Sequence, residues 1–447
     1  MKRKQRLPMV VIMLGLVSLF TDAATEMIYP LIPVYVAALG SGAVILGIIE
    51  GVAESTAALL KLVSGIISDK IGKRKILVVA GYAISSLVRP LTGLVSEAWQ
   101  IIIVRMFDRV GKGIRTAPRD AIVASSVDEG SRGRSFGFER AMDHTGAVIG
   151  PVLAIITLLI LFIGFGFRDS LQALRWTFLL AFFPGLLAVL TIVLFVKESA
   201  PSRKKVSSFR FSLASFDKDF KKYLLIVILF TLGNSSDAFL LFRVEESIKQ
   251  SGAVVDIVNR IAPLREMISN FGTEASRETV INILFLPLVW AFFHIIKALF
   301  STPLGALSDR IGRIKVINTG WGIYAFVYLS FAMLVFLPAG MQIAATFILF
   351  AVYALYYAFT EGAERALVAD LVNEDQRGSA YGLYNLAVGL GALPASILFG
   401  LIYSFFDKVI PGYGGTVAFS FGAAIALISM ILLNSKVRES IAGTGRK

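Results

Sequence analysis

Charged side chains recur through residues 105–120 at intervals of three or four: Arg105, Asp108, Arg109, Lys112, Arg115 and Arg119. On an α-helix that spacing sets them along one side. They follow the apolar run 99–104 without a turn signal and lead into the mostly apolar 121–127. One helix of about 27 residues, at roughly 1.5 Å per residue, is long enough to cross a bilayer. A charge at the bilayer centre costs roughly 2.5–3.5 kcal/mol on insertion scales, so the row cannot face lipid. It must line water or a protein interior, and the expectation is a polar cavity with this helix as one wall. A guanidinium stays charged at any working pH, and Arg109 lies nearest the middle of the span. It is therefore expected to hold a carboxylate, with Asp22 and Glu26 as the candidates.

Other ionisable and polar groups fall at comparable depth. Asp22 and Glu26 lie a turn apart on one face of the first apolar stretch. Glu50 and Glu54 follow, with Lys61 two turns on, and then Arg140, Asp143 and His144. Later in the chain come Asn234 and Asp237, His294 and Lys297, and the run Tyr353, Tyr356, Tyr357 and Glu361. An acid beside a base cluster can be a fixed pair or can carry a proton. For Asp22 and Glu26 both readings stay open: coupling or substrate binding, against an ion pair with Arg105 or Arg109. Glu54 and Lys61 read as a structural pair, while Asp143 and His144 could titrate near physiological pH or simply pack. Other chemistry is thin. Around Lys112, the pattern Gly111-Lys112-Gly113 lacks the remaining elements of a phosphate loop. With two histidines and no cysteine, no metal site is expected. Nothing resembles a catalytic triad, so no catalytic residue, cofactor or enzyme activity is expected.

The elements that must position these groups follow from composition. Of 447 residues, 56% are hydrophobic and 17% charged, against about 25% charged in soluble domains. Mean hydropathy is +0.74, which marks an integral membrane protein. Net charge is +13, but the bases cluster in short segments between apolar spans. They read as topology signals and not as a nucleic-acid surface. Twelve spans are expected at about 9–37, 43–68, 75–96, 99–127, 135–163, 174–197, 222–244, 280–307, 314–337, 341–371, 379–404 and 415–434. Lys and Arg crowd alternate connections, so both termini are expected in the cytoplasm. The segment ahead of Leu7 reads as a cytoplasmic start to an uncleaved first span. A basic linker at 197–222 separates a six-span bundle, 1–196, from a second, 223–447, and a long outer loop is expected at about 245–279.

The halves repeat each other. Gly65, Asp69, Lys70, Gly72 and Lys73 after span 2 return as Gly305, Asp309, Arg310, Gly312 and Arg313 after span 8. Arg132-Gly133 and Phe136-Gly137 return as Arg377-Gly378 and Tyr381-Gly382 before span 11. Two pairs in one order at nearly constant offset indicate a duplicated six-span unit.

Gly65, Asp69, Lys70, Gly72, Arg74 and Lys75 reproduce the loop signature of the major facilitator superfamily, which the chain resembles over essentially its whole length. The resemblance implies an all-α fold of two pseudo-symmetric six-helix bundles rocking about a central cavity lined by spans 1, 4, 7 and 10. Arg109, Gly113 and Ala117 look like the span-4 motif of proton-coupled drug exporters, although Lys112 and Arg115 depart from it. Gly137, Gly146, Gly150 and Pro151 match the start of the antiporter motif of span 5, whose closing glycine pair is absent at Ala154 and Ile155. The loose branch is the drug:proton antiporters.

Together these point to a secondary active transporter of a small organic solute in the cytoplasmic membrane, driven by the proton gradient, with efflux favoured. Uptake of an organic anion is the alternative, and a non-transporting receptor or scaffold is the alternative of another class. Coupling and substrate candidates are Asp22, Glu26, Arg105, Asp108, Arg109, Lys112, Arg115, Asn234, Asp237, His294, Tyr356 and Tyr357. The gate set is Gly65, Asp69, Gly72, Arg74, Arg119, Asp120, Gly305, Asp309, Arg310, Gly312, Glu364 and Arg365, read as salt bridges at the inner ends of spans. Expected partners are membrane lipid and a small-molecule substrate, with no nucleic acid and a monomeric state.

Overall fold

A computed structural model describes residues 7–71, 74–127, 132–196, 216–262, 265–266, 274–372 and 376–437. Every regular element among them is helical. Among the described residues, eleven helical stretches are long and apolar enough to cross a membrane. The twelfth span, Ala98–Ser125, has the length at 28 residues but carries the charged row. Its start is set by Glu97 and Gln100, whose side chains each take the other's orphan backbone N–H in a capping box.

Spans 1, 3 and 7 are not continuous α-helices. Span 1 runs as Met9–Glu26, a 3-10 turn at Tyr29–Leu31, and Ile32–Ala38. Pro30 and Pro33 have no N–H to give to the carbonyls of Glu26 and Tyr29, four residues back, so the ladder ends beside Glu26. Span 3 passes from Arg74–Val88 into the 3-10 turn Arg89–Leu94, where Pro90 has the same effect. Span 7 is Lys218–Gly233 and then Ala238–Ser251. Its break, Asn234 to Asp237, is a run of side chains that compete for backbone groups. Ser236 Oγ accepts the N–H of Ala238 at 3.3 Å. Tyrosines of span 9 cover the exposed carbonyls: Tyr324 Oη donates to Gly233 O at 2.9 Å and Tyr328 Oη to Ser235 O at 3.5 Å. A broken helix at membrane depth persists only where such partners replace the lost bonds.

The described parts of the expected loop at 245–279 are largely helical. Span 7 continues to Ser251, Gly252 turns the chain with φ +61°, Ala253–Arg260 follows, and a 38-residue helix runs through Glu274–Ile311.

Contacts divide the chain into two compact units. One holds Met1–Gly40, Thr56–Ser207 and Ile261–Ala291, the other Ser41–Ser55, Ser208–Arg260 and Phe292–Lys447. In the first, span 1 packs on spans 5 and 6 and span 3 on spans 4 and 6. Leu14, Val17, Tyr82, Ile122, Val123 and Ile192 form its apolar core. In the second, span 9 packs on spans 10 and 12 and span 7 on spans 11 and 12. Tyr324, Tyr328, Phe331, Phe399 and Phe419 interlock there at ring separations of 4.1–6.3 Å. In lipid such contacts stabilise by close packing, because apolar burial displaces no water.

Candidate functional site

In the first unit the charged row of span 4 divides between two environments. Asp108 is almost fully buried, as are the guanidiniums around it. Arg89 Nη2 donates to its Oδ1 at 2.9 Å, with Arg105 at 3.9 Å and Arg109 at 4.0 Å from Oδ2. Arg89 was not among the candidates. It belongs to the Pro90 turn that redirects span 3, and an arginine inside an apolar stretch was the available signal. Arg115 lies with its guanidinium 4.3 Å from the Tyr82 ring centroid and donates to Ser85 Oγ at 2.6 Å. Close approach makes these contacts possible. A Cβ on Gly81 would stand 2.6 Å from Gly111 O, so the backbones of spans 3 and 4 nearly touch. The wall of a polar cavity was expected along the whole row, whereas Arg105, Asp108, Arg109 and Arg115 face protein. Their spacing marks the side turned from lipid, but it cannot say what packs against it.

Lys112 is the half-buried exception, and it faces acids. Gly146 and Gly150 of the antiporter-like motif bring span 5 onto the backbone of span 1 at Leu19 and Ala23; a Cβ on Gly150 would lie 2.6 Å from Ala23 O. The approach sets Asp22 near Asp143, close enough for the two carboxyls to act on each other electrostatically, with Lys112 in reach of both and Glu26 in reach of Asp22. Arg140 Nη1 lies 3.8 Å from the other side of Asp143. Glu26, at the broken end of span 1, accepts a hydrogen bond from Trp290 Nε1 at 2.7 Å. Trp290 also packs on Tyr29, and Arg105 approaches the Tyr29 ring at 5.6 Å. Neither Trp290 nor the Asp22–Asp143 pairing is readable from helical spacing, since both join residues more than a hundred positions apart.

Nearer the end of span 4, Arg119 Nη1 pairs with Glu139 at 2.6 Å and also donates to Ser18 Oγ at 3.0 Å. Its Nη2 meets Asp120 at 2.9 Å. Arg119 and Asp120, both named in the gate set, thus form one salt-bridge cluster with Glu139, which was not.

In the second unit the break in span 7 presents Asn234 and Asp237. Asn234 Nδ2 donates to Tyr356 Oη at 3.2 Å. Asp237 accepts from Tyr353 Oη at 2.6 Å and from Tyr357 Oη at 3.0 and 2.9 Å. Lys297 and His294 lie near enough to act on its charge. Lys297 Nζ stands 3.6 Å from Glu361 Oε2 and 4.2 Å from the Tyr357 ring centroid. Ser236 Oγ donates to Glu50 Oε2 at 3.2 Å. Asn234, Asp237, His294, Tyr356 and Tyr357, named separately as candidates, therefore lie in one group with Lys297, Tyr353 and Glu361.

Glu364 departs from its expected role. Its donors are Trp321 Nε1 at 3.0 Å and Tyr384 Oη at 2.5 Å, while Arg365 is exposed. An aromatic pocket therefore holds this acid in place of a salt bridge. Gly72, and Gly65, Asp69, Gly305 and Asp309 beyond their helical backbone, lie outside the described residues. Arg74 Nη1 reaches Ala121 O at 3.5 Å. Arg310 is exposed at the end of its helix, and Gly312 turns the chain with φ +99°, a conformation that suits glycine. Arg313 caps that turn by donating to Ser308 Oγ at 2.5 Å and pairs with Asp370 at 3.3 Å. A further buried base, Arg243, was also missed. It binds Glu246 at 2.6 Å, Thr416 Oγ1 at 3.1 Å and two span-9 carbonyls, and it lies over Gly415 where any side chain would collide.

Comparison with known proteins agrees with this architecture. A family model described as Major Facilitator Superfamily matches residues 14–249 and 251–444. An uncharacterised MFS-type transporter of Methanocaldococcus jannaschii is 33% identical over 424 residues, covering 95% of this chain and 94% of that one. The multi-drug resistance efflux pump PmrA of Streptococcus pneumoniae is 30% identical over 186 residues, 40% of this chain and 43% of that protein. Among solved structures, a mutant form of the nucleoside transporter NupG superposes with a TM-score of 0.71 at 13% identity, over 95% of this chain and 99% of that one. With the family model matching almost the full length, the chain belongs to the Major Facilitator Superfamily and is a multi-pass membrane transporter, not an enzyme.

Proposed function

We propose that this transporter couples the export of a small organic solute to the entry of protons, and that both of its termini face the cytoplasm. The Asp22–Asp143 pair carries the reading. Two carboxyl groups this close repel when both are charged, so the pair can take up one proton between two packed spans. Lys112 from span 4 stands beside both acids. It stabilises the pair once the proton leaves, which gives the site two usable states. Similarity to an efflux pump over part of the chain supports the outward direction. The anion-uptake reading loses support because Arg105 and Arg109 are buried around Asp108 and offer a solute little surface.

Coupling is tested in proteoliposomes with ethidium as the transported probe. Adding ethidium should move protons against it in the wild type. Asp22→Asn should lower this coupled flux by about tenfold or more, equivalent to about 1.4 kcal/mol, without loss of the folded protein. Undiminished proton movement in that variant would sink the coupling site. Any turnover at all separates a transporter from a receptor. Topology is tested with reporter fusions: those after Lys205 and Lys447 should report cytoplasm, and one within 254–268 should report the outside. An outside signal at Lys205 would overturn the orientation.

A further inference from the structure

Lys297 sits where a soluble cation would be held. Its ammonium lies over the Tyr357 ring, 4.2 Å from the centroid, and 3.6 Å from Glu361 Oε2. Asp237, held by Tyr353 and Tyr357, lies within electrostatic reach. An aromatic face rimmed by carboxylates is a general means of binding ammonium groups, and partial removal from water strengthens the contribution of the ring. Phe293 stacks on Tyr353 at 5.7 Å and Tyr356 flanks Tyr357 at 4.9 Å, which extends the aromatic wall.

Asp237 and Glu361 bring two carboxylates to this wall and Lys297 an ammonium. Access differs from the basic node of span 4 as well. Lys297 and Glu361 have side chains 15% and 31% exposed, whereas Arg105 and Asp108 show 4% and 2%. A lysine also suits a replaceable occupant. It is a point charge on a flexible stem, without the rigid fork that locks an arginine to its acceptors.

We infer that Lys297 is a built-in occupant of a cation site formed by Tyr357, Asp237 and Glu361, and that the transported solute carries an organic ammonium group that displaces it. This rests on the transport reading above, but it concerns what binds and not how movement is energised. With no solute present, Lys297 keeps the carboxylates from standing unpaired at membrane depth. When a solute arrives, its affinity is the difference between its own contacts and those it takes from Lys297. Removing the lysine charge should therefore strengthen cation binding, the opposite of what loss of a structural ion pair would do.

The test is equilibrium titration of benzyltrimethylammonium into the purified full-length protein in nanodiscs, with no gradient. Neopentylbenzene, its neutral carbon isostere, is the control. Wild-type protein should prefer the cation. Lys297→Met should bind it about tenfold more tightly than wild type, and Asp237→Asn about tenfold more weakly, as expected for a partly desolvated cation site. Lys297→Arg should stay close to wild type or bind more weakly. Equal binding of the neutral isostere, or no gain in Lys297→Met, overturns the inference. Should Lys297→Met fail to elute as a folded protein, Glu361→Gln decides: weaker cation binding supports the site, and unchanged binding overturns it. Proton-coupled flux that persists while cation binding fails would leave the export reading standing and remove this one. Tight cation binding without proton-driven flux would do the reverse.

Discussion

Two of the clusters of ionisable groups in this transporter are built on opposite plans. Around Asp108, several guanidiniums converge on one carboxylate, all of them closed off from water. Around Asp237, hydroxyls and rings surround two acids and one lysine, and several of the groups remain reachable. A fully buried charge cluster cannot meet a solute, and removing one partner strands the rest at a cost of several kcal/mol. A half-open cluster can exchange partners at little cost to the fold. Access, and not the number of charges, separates a cluster that a solute can reach from one that it cannot.

The strongest way to break this comparison is Asp108→Ala. Buried guanidiniums would lose the acid they share, and the fold should lose about 3–5 kcal/mol. The melting temperature of the purified protein and the yield of monodisperse material measure it. An unchanged melting temperature would mean that the basic cluster is solvated and available to solutes after all.

Asp143→Asn probes the remaining acid pair. It removes one of two carboxyls from a half-open site, so stability should change little. Proton-coupled ethidium flux should fall by about tenfold, near 1.4 kcal/mol of coupling, and its pH profile should change shape. A pH profile with the wild-type shape would show that Asp143 only packs, the reading its position in span 5 first allowed.

Arg115→Lys is a smaller change within the closed cluster. Charge is retained, while the stack on Tyr82 and the bond to Ser85 are lost. A loss of about 1–2 kcal/mol is expected, seen as a lower melting temperature with transport intact. Loss of transport without loss of stability would move Arg115 back among the solute-facing residues.

The smallest effect is expected from Tyr353→Phe. One hydroxyl leaves Asp237 and Tyr357 remains, so about 1 kcal/mol is at stake. It should appear as weaker binding of benzyltrimethylammonium, about fivefold, with an unchanged melting temperature. A destabilised protein with normal binding would place Tyr353 in the packing of spans 9 and 10.

Much of this molecule was legible in the chain alone. Twelve apolar stretches, a repeated loop signature and the spacing of span 4 are one-dimensional facts, and helix geometry converts them directly into spans and faces. Gly146 and Gly150 could be read as sites of close approach, but not that span 1 would be what approaches, bringing Asp22 to Asp143. Only the tertiary structure decided which charges are paired. Arg89 reaches Asp108 because Pro90 turns span 3, and Trp290 reaches Glu26 across 264 residues. Periodicity states which side of a helix a residue occupies. What stands opposite depends on how helices distant in sequence pack, and that packing decides whether a charge is locked in place or free to change partners.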